Sequence, residues 1–214
     1  MDVLISGWHE WLRSLIGLTV IVNPLLAVPA FAVFAGKESP AERRDTAHRA
    51  ALTVAAVLTL SVVGGQAVLR LFGIGLPAFQ VGGGVLILMM AIAMLHARMS
   101  GARHTDEEAV EAHGKEQVGV VPLGIPLLAG PGAISTAIIY AHNGSGWQDT
   151  LVLILEVWLV SALVWISLRL GDRVARVLGR TGINIATRIM GLLLAAIAVE
   201  FVTNGLKQLL PGLG

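Results

Sequence analysis

Six stretches of the chain are apolar over lengths that match the thickness of a lipid bilayer. A hydrocarbon core about 30 Å thick is crossed by roughly 20 residues of α-helix. Four stretches contain no Asp, Glu, Lys or Arg and two contain one acid each, and together they cover residues 14–36, 50–69, 71–97, 117–148, 150–168 and 189–206. Membrane β-barrels instead show alternating segments of about 10 residues. The sequence therefore predicts an all-α membrane protein with six transmembrane helices.

The composition narrows the class of protein further. Only 14% of the residues are charged, and the mean hydropathy is +0.77, whereas an ordinary soluble domain carries roughly 25% charged residues. There is no cysteine for a disulfide or a thiolate metal site, and a net charge of +1 argues against nucleic acid as a partner. No His and acidic residues have metal-ligand spacing and no serine has the surroundings of a nucleophile. The sequence predicts no cofactor, no metal and no enzyme activity.

The basic residues predict how the helices are oriented, because Lys and Arg accumulate on the cytoplasmic side of a membrane. Most of the 15 basic residues follow helices 1, 3 and 5 or precede helix 6: Lys37, Arg43, Arg44, Arg49, Arg98, Arg103, Lys115, Arg169, Arg173, Arg176, Arg180 and Arg188. The opposite side has Arg13, Arg70 and Lys207. Both termini are therefore expected on the outer side of the membrane.

The two halves of the chain resemble each other weakly. A shift by half of the 214 residues places Gly17 on Gly124 and Pro24 on Pro131. Because each half has three helices, an odd number, the second half is expected to be inverted in the membrane. Inverted repeats are common in secondary transporters. The predicted organisation is a first three-helix repeat at 1–100, a cytoplasmic linker at 101–117 and a second, inverted repeat at 118–214.

Prolines lie near the centres of helices 1 and 4, in the pairs Asn23-Pro24 and Gly130-Pro131. Proline lacks an N–H group and disfavours the helical conformation of the residue before it. Asn and Gly also precede helices as N-caps, with Pro at the first helical position. Each helix is therefore predicted to be broken at the membrane midplane. The alternative is a packing kink of the kind that membrane helices tolerate, but two kinks at matching depth favour a site.

The predicted half-helices would point their N-termini at one spot. Unpaired N–H groups are expected at Leu25, Leu26, Ala27, Gly132, Ala133 and Ile134. With the positive ends of two helix dipoles they would favour an anionic group such as a carboxylate. Asn23, Ser135 and Thr136 would add side-chain hydrogen bonds, and the small residues leave room for a compact ligand. The predicted substrate site comprises Asn23, Pro24, Leu25, Leu26, Ala27, Gly130, Pro131, Gly132, Ala133, Ser135 and Thr136.

Two carboxyl groups lie inside the predicted spans, where ionisable side chains are costly and usually functional. Glu200 lies about two helical turns from Lys207, on one face with Thr203 and Asn204. A desolvated carboxyl exchanges protons near neutral pH, so Glu200 is the predicted proton-coupling residue, with the lining of an outer vestibule as an equal alternative. Glu156 lies nearer the outer end of its helix, from which it could reach interfacial water, and which of the two titrates stays open. Close helix packing is predicted at Gly82, Gly83, Gly84 and Gly191.

Three segments carry a resemblance to a known family: NPLLAVPAF at 23–31, LLAGPGAIST at 127–136 and RIMGLLLAAIAVEFVTNGL at 188–206. They are similar to the MarC family, whose members include transporters of small neutral amino acids. The resemblance implies a multi-pass carrier of the cell inner membrane for substrates such as glycine and alanine, driven by the proton gradient.

The leading hypothesis is therefore a secondary transporter with alternating access around a midplane site. Its partners would be a small substrate with a carboxylate, protons and the lipid bilayer. The alternatives are export of another small solute or a metal ion, and a non-transporting membrane scaffold or intramembrane enzyme. The direction of transport, the coupling stoichiometry and the oligomeric state, including a homo-oligomer, stay open.

Overall fold

A computed structural model of the chain describes residues 2–25, 27–36, 38–96, 119–144, 146–210 and 212. Throughout these ranges the regular structure is helical, without a strand. The helices are α1 Asp2–Val22, α2 Ala27–Phe34, α3 Pro40–Leu71, α4 Leu76–Leu95, α5 Gly119–Leu128, α6 Pro131–Asn143, α7 Trp147–Arg169 and α8 Gly171–Leu209. The predicted linker at 101–117 lies outside the described residues.

Five stretches of the described residues are long and apolar enough to cross a membrane: Trp11–Ala32, Pro40–Leu71, Leu76–Leu95, Trp147–Arg169 and Thr181–Leu209. These agree with an all-α membrane protein. The fourth predicted span, 117–148, is not among them, because most of its described residues lie in the two short helices α5 and α6. Six spans and an inverted repeat therefore stay predictions.

Two prolines explain why α5 is irregular. Val121 and Ile125 each precede a proline and are extended, with φ and ψ of −129° and 125°, and of −129° and 130°. Such conformations are expected before proline, whose ring clashes with a helical residue preceding it. At the end of α5, the N–H of Ala129 donates to the carbonyl of Gly124, five residues back, which is the π-helical pattern. The sequence thus contained a signal for this irregularity in its two X-Pro pairs.

The helices α4 and α8 form the most extensive pair, and glycines let their backbones approach closely. A Cβ atom at Gly84 would lie 2.9 Å from the carbonyl oxygen of Ala198, and one at Gly191 would lie 3.1 Å from the carbonyl oxygen of Ala91. Small residues serve this purpose widely in membrane helices. The packing prediction is therefore right for Gly84 and Gly191. It is wrong for Gly82, which has no described atom within 4 Å of an added Cβ.

The helices α3 and α8 begin well before the predicted spans that they contain. α3 begins ten residues earlier, at Pro40, where the N-cap Ser39 and Glu42 form a capping box that satisfies N–H groups at the helix start. α8 begins at Gly171 and is interrupted at Gly179, whose φ of 60° and ψ of −177° belong to a region that glycine alone adopts readily. The hydrophobic core contains buried residues from all eight described helices, among them Leu18 of α1, Ile87 of α4 and Leu194 of α8.

Candidate functional site

The junction between α1 and α2 leaves an amide group buried without a partner. α1 ends at Val22, and the N–H of Asn23 still donates to the carbonyl of Thr19 at 2.9 Å. Asn23 has a φ of 52°, a left-handed conformation that asparagine tolerates better than most residues. Its side chain is 2% exposed, and its Nδ2 has no hydrogen-bond partner among the described residues.

The start of α6 has no side-chain cap, and Gly130, Gly132 and Ala133 there are buried. The N-cap is Gly130, with φ of −77° and ψ of 175°, and Pro131 follows at the first helical position. The N–H of Ile134 donates to the carbonyl of Gly130 at 3.0 Å, so the prediction of an unpaired N–H at Ile134 is wrong. Helix geometry leaves the N–H groups of Gly132 and Ala133 without an intrahelical acceptor, and both residues are buried.

The start of α6 lies beside the end of α1 and the middle of α4. A Cβ at Gly132 would lie 3.1 Å from Ile87 Cγ1 of α4 and 3.8 Å from Ile21 Cγ2 of α1. One turn further along α6, Ser135 packs against Gly83 of α4, where an added Cβ would lie 2.9 Å from the serine Cβ. Because Ile21 is two residues from Asn23, the structure brings the end of α1 close to the N-terminus of α6.

The predicted substrate-site residues differ in how far they are buried. Asn23, Pro24, Ala27, Gly130, Gly132, Ala133, Ser135 and Thr136 are buried, Leu25 is half-buried and Pro131 is exposed, while Leu26 lies outside the described residues. The hydroxyl of Thr136 donates to the carbonyl of Gly132 at 2.8 Å. The hydroxyl proton is therefore already used in a hydrogen bond to the backbone, and Thr136 could only accept a hydrogen bond from a ligand.

The two intramembrane carboxyl groups have opposite environments. Glu156 of α7 is 5% exposed; its Oε1 lies 2.9 Å from Ser14 Oγ, and its Oε2 has no hydrogen-bond partner among the described residues. The expectation that Glu156 could reach interfacial water is therefore wrong, because neighbouring helices cover it. Glu200 of α8 is exposed, as are Thr203, Asn204 and Lys207 on the same face.

Tyr140 of α6 lies close enough to both carboxyl groups to interact with them electrostatically. Its ring packs edge-on against Phe201 of α8, with centroids 6.1 Å apart and an interplanar angle of 76°. A Cβ at Gly17 of α1 would overlap its hydroxyl oxygen. The sequence does not single out Tyr140, although it is the chain's one tyrosine and lies within a predicted span.

Long apolar helices that enclose an amide, a carboxyl group and an uncapped helix start are features of an integral membrane protein. The chain belongs to the MarC family, since the sequence model of the family described as "MarC family integral membrane protein" matches residues 8–210.

Its relatives cover nearly the whole chain. The UPF0056 membrane protein YhcE of Escherichia coli strain K12 is 36% identical over 203 residues, which are 95% of this chain and 94% of the relative. The UPF0056 membrane protein BU267 of Buchnera aphidicola subsp. Acyrthosiphon pisum is 35% identical over 213 residues, or 100% and 99%. The protein PYRAB13050 of Pyrococcus abyssi is 35% identical over 192 residues, or 90% and 92%. No solved structure matches the chain.

Proposed function

We propose that this protein is a proton-coupled secondary transporter of small neutral amino acids such as glycine and alanine. The proposal rests chiefly on the buried, uncapped start of α6, which lies beside the end of α1 and near the unpartnered amide of Asn23. Buried polar groups are normally hydrogen-bonded, and leaving one unpaired costs about 1–3 kcal/mol. A ligand that supplies acceptors would remove this cost.

A carboxylate suits the start of α6. The N–H groups of Gly132 and Ala133 and the positive end of the helix dipole would all interact favourably with it. The Nδ2 of Asn23 would supply one more donor. The substrate carboxylate is therefore assigned to the N-terminus of α6.

An ammonium group suits the end of α1 for the opposite reason. The last carbonyl groups of a helix lack intrahelical partners and carry the negative end of its dipole. Ile21 lies in the last turn of α1, and its Cγ2 atom would lie 3.8 Å from a Cβ added at Gly132. A free amino acid, whose ammonium and carboxylate groups are attached to the same carbon atom, would therefore complement the two helix ends together.

The size and charge of the surroundings support a small neutral side chain. Five of the eleven residues of the predicted site are glycine, alanine or serine, and none of the eleven is charged. A charged substrate side chain would lack a counterion there, which is costly in a membrane interior. Compact neutral amino acids are thus the favoured substrates.

The order of the helices supports alternating access. The interrupted pair α1–α2 is followed by two long helices, and the pair α5–α6 is followed by two more. Two such units would rock against each other around the site, as inverted repeats do in other carriers. We place the protein in the cell inner membrane with both termini outside, in keeping with its basic residues.

Uptake of labelled glycine or alanine into proteoliposomes tests the proposal. Asn23→Gly keeps the left-handed backbone accessible and removes only the amide, so it should lower uptake about 10-fold or more, since a hydrogen bond to a charged group contributes about 1.5–3 kcal/mol. Asn204→Ala, at an exposed asparagine of α8, is the matched control and should transport normally.

A second pair of variants tests the space at the helix start. Gly132→Val should abolish uptake because its branched side chain would occupy the site, whereas Gly82→Val, in open space, should not. If Asn23→Gly and Gly132→Val both transport like the wild type, the site assignment fails. If no neutral amino acid binds to the purified protein at acidic or neutral pH, the amino-acid proposal must be abandoned.

A further inference from the structure

The hydroxyl of Ser14 lies between two hydrogen-bond acceptors. Ser14 Oγ is 2.9 Å from Oε1 of Glu156 and 3.0 Å from the carbonyl oxygen of Trp11. A serine hydroxyl has one proton to donate, whereas a carbonyl and an ionised carboxylate only accept. A single proton makes one strong hydrogen bond, so both contacts are strong at the same time when Glu156 is protonated and donates to Ser14, while Ser14 donates to Trp11.

The burial of Glu156 favours the same protonation state. The residue is 5% exposed and its Oε2 has no hydrogen-bond partner among the described residues. An ionised carboxylate in such a position, without a cation beside it, costs several kcal/mol. A neutral carboxylic acid avoids most of that cost.

No described Lys, Arg or His side chain on the helices packed against α7 forms an ion pair with this carboxyl group. Those helices are α1, α2, α3, α6 and α8. Tyr140 of α6 lies near both Glu156 and Glu200 of α8, and neither a phenol nor a second carboxyl group can supply a positive charge. The other described titratable side chains of these helices at this end of the molecule are exposed: His9, Arg13, Arg70, His142 and Lys207.

From this geometry we infer that Glu156, rather than Glu200, binds the exchangeable proton of the protein. In the conformation described, Glu156 is a neutral acid that donates to Ser14, and Ser14 donates to the carbonyl of Trp11. Release of the proton leaves a carboxylate that accepts from the Ser14 hydroxyl instead. No other group needs to change its covalent state.

The neighbours of Ser14 suggest a route for the proton in one direction and a link to the substrate in the other. Trp11 is 48% exposed and begins the apolar stretch of α1, about 5 Å from Ser14 along the helix. Gly17, one turn further inward, contacts the Tyr140 hydroxyl. Tyr140 lies about 10 Å along α6 from Ala133. A movement of α6 at the substrate site would therefore change the surroundings of Glu156.

Infrared spectroscopy tests the protonation state without reference to transport. Purified wild-type protein at neutral pH should show the C=O stretch of a protonated carboxylic acid. That band should disappear in Glu156→Gln and persist in Glu200→Gln and in Asp149→Asn, a control at an exposed acid of the same helix. A band that survives in Glu156→Gln, or its absence from the wild type, would overturn the inference.

Ser14→Ala provides a second spectroscopic test that does not require the Glu156 variant to fold. Removing the acceptor of the carboxyl proton should shift the C=O band to higher frequency, because the donated hydrogen bond is lost. An unshifted band would contradict the relay through Ser14.

The transport arm rests on the proposed function. An imposed proton gradient should raise the initial rate of uptake several-fold in the wild type and in Glu200→Gln. In Glu156→Gln the ratio of the rates with and without the gradient should fall to about one, a measure that does not depend on the amount of folded protein. A gradient response that is retained in Glu156→Gln, or lost in Glu200→Gln alone, would refute the assignment. If the wild type takes up no amino acid, the proposed function fails and the infrared result stands by itself.

Discussion

Replacing Gly84 with alanine would test the close contact between α4 and α8. A Cβ at this position would lie 2.8 Å from Val202 Cγ2, 2.9 Å from the Ala198 carbonyl oxygen and 3.0 Å from the Val202 backbone nitrogen. The Val202 side chain could rotate away, but the backbone atoms move only if α8 itself moves. The added methyl group must therefore push the two helices apart.

Two opposing effects set the size of the change. Adding a methylene-sized group to a well-packed contact costs about 1–3 kcal/mol, and a gap of about 0.5 Å along the helix contact would lose roughly a quarter of the dispersion attraction there. In the opposite direction, alanine in place of glycine stabilises a helix by about 0.5–1 kcal/mol. Gly84→Ala should therefore destabilise the protein by about 1–2 kcal/mol.

Thermal unfolding of detergent-purified protein, followed by tryptophan fluorescence, measures the effect. Gly82→Ala is the matched control, since it lies two residues away on the same helix and its added Cβ meets no described atom within 4 Å. It should be as stable as the wild type or slightly more stable. If Gly84→Ala unfolds at the same temperature as Gly82→Ala, the close approach of α4 and α8 described here is incorrect.

Three further predictions concern other parts of the molecule. Gly17→Ala should destabilise the protein by about 1–3 kcal/mol, because the added Cβ overlaps the Tyr140 hydroxyl. Tyr140→Phe should therefore restore most of the lost stability in the double variant. If the shifts in unfolding temperature of the two single variants simply add in the double variant, the contact is contradicted. Ser39→Ala should lower the stability of the protein by about 1 kcal/mol through loss of the N-cap of α3. The loss should appear as faster amide hydrogen exchange in the first turn of α3, and unchanged exchange would argue against the cap. A reporter fused to the C-terminus should be active on the outer side of the membrane, and a cytoplasmic signal would reverse the predicted orientation.

Local features of the structure follow closely from the sequence. The extended conformations of Val121 and Ile125 precede prolines, and α6 begins with Pro131 after a glycine N-cap. These features depend on sterics between adjacent residues, which a sequence states directly. The hydrogen bond from Ile134 to Gly130 is equally local, and the rule that the fourth helical N–H finds the N-cap carbonyl would have predicted it.

The roles of the two carboxyl groups could not be predicted in this way. Glu156 and Glu200 both interrupt long apolar stretches, yet one is buried and the other exposed. In a soluble helix the hydrophobic face would indicate which side is buried. A membrane helix is apolar on the side that faces lipid as well as on the side that faces protein, so its sequence does not say which way an acid points.

The sequence by itself determined that the chain is an all-α membrane protein of the MarC family, because the length and apolarity of its helices and its family motifs are properties of consecutive residues. Only the tertiary structure decided which polar groups are buried together. The contact of Ser14 with Glu156 joins residues 142 positions apart, and the contact of Gly17 with Tyr140 joins α1 to α6. Such pairs depend on how the helices pack. Because the helix surfaces are uniformly apolar, the packing is set by the shapes of the side chains on neighbouring helices, which the sequence of one helix does not contain.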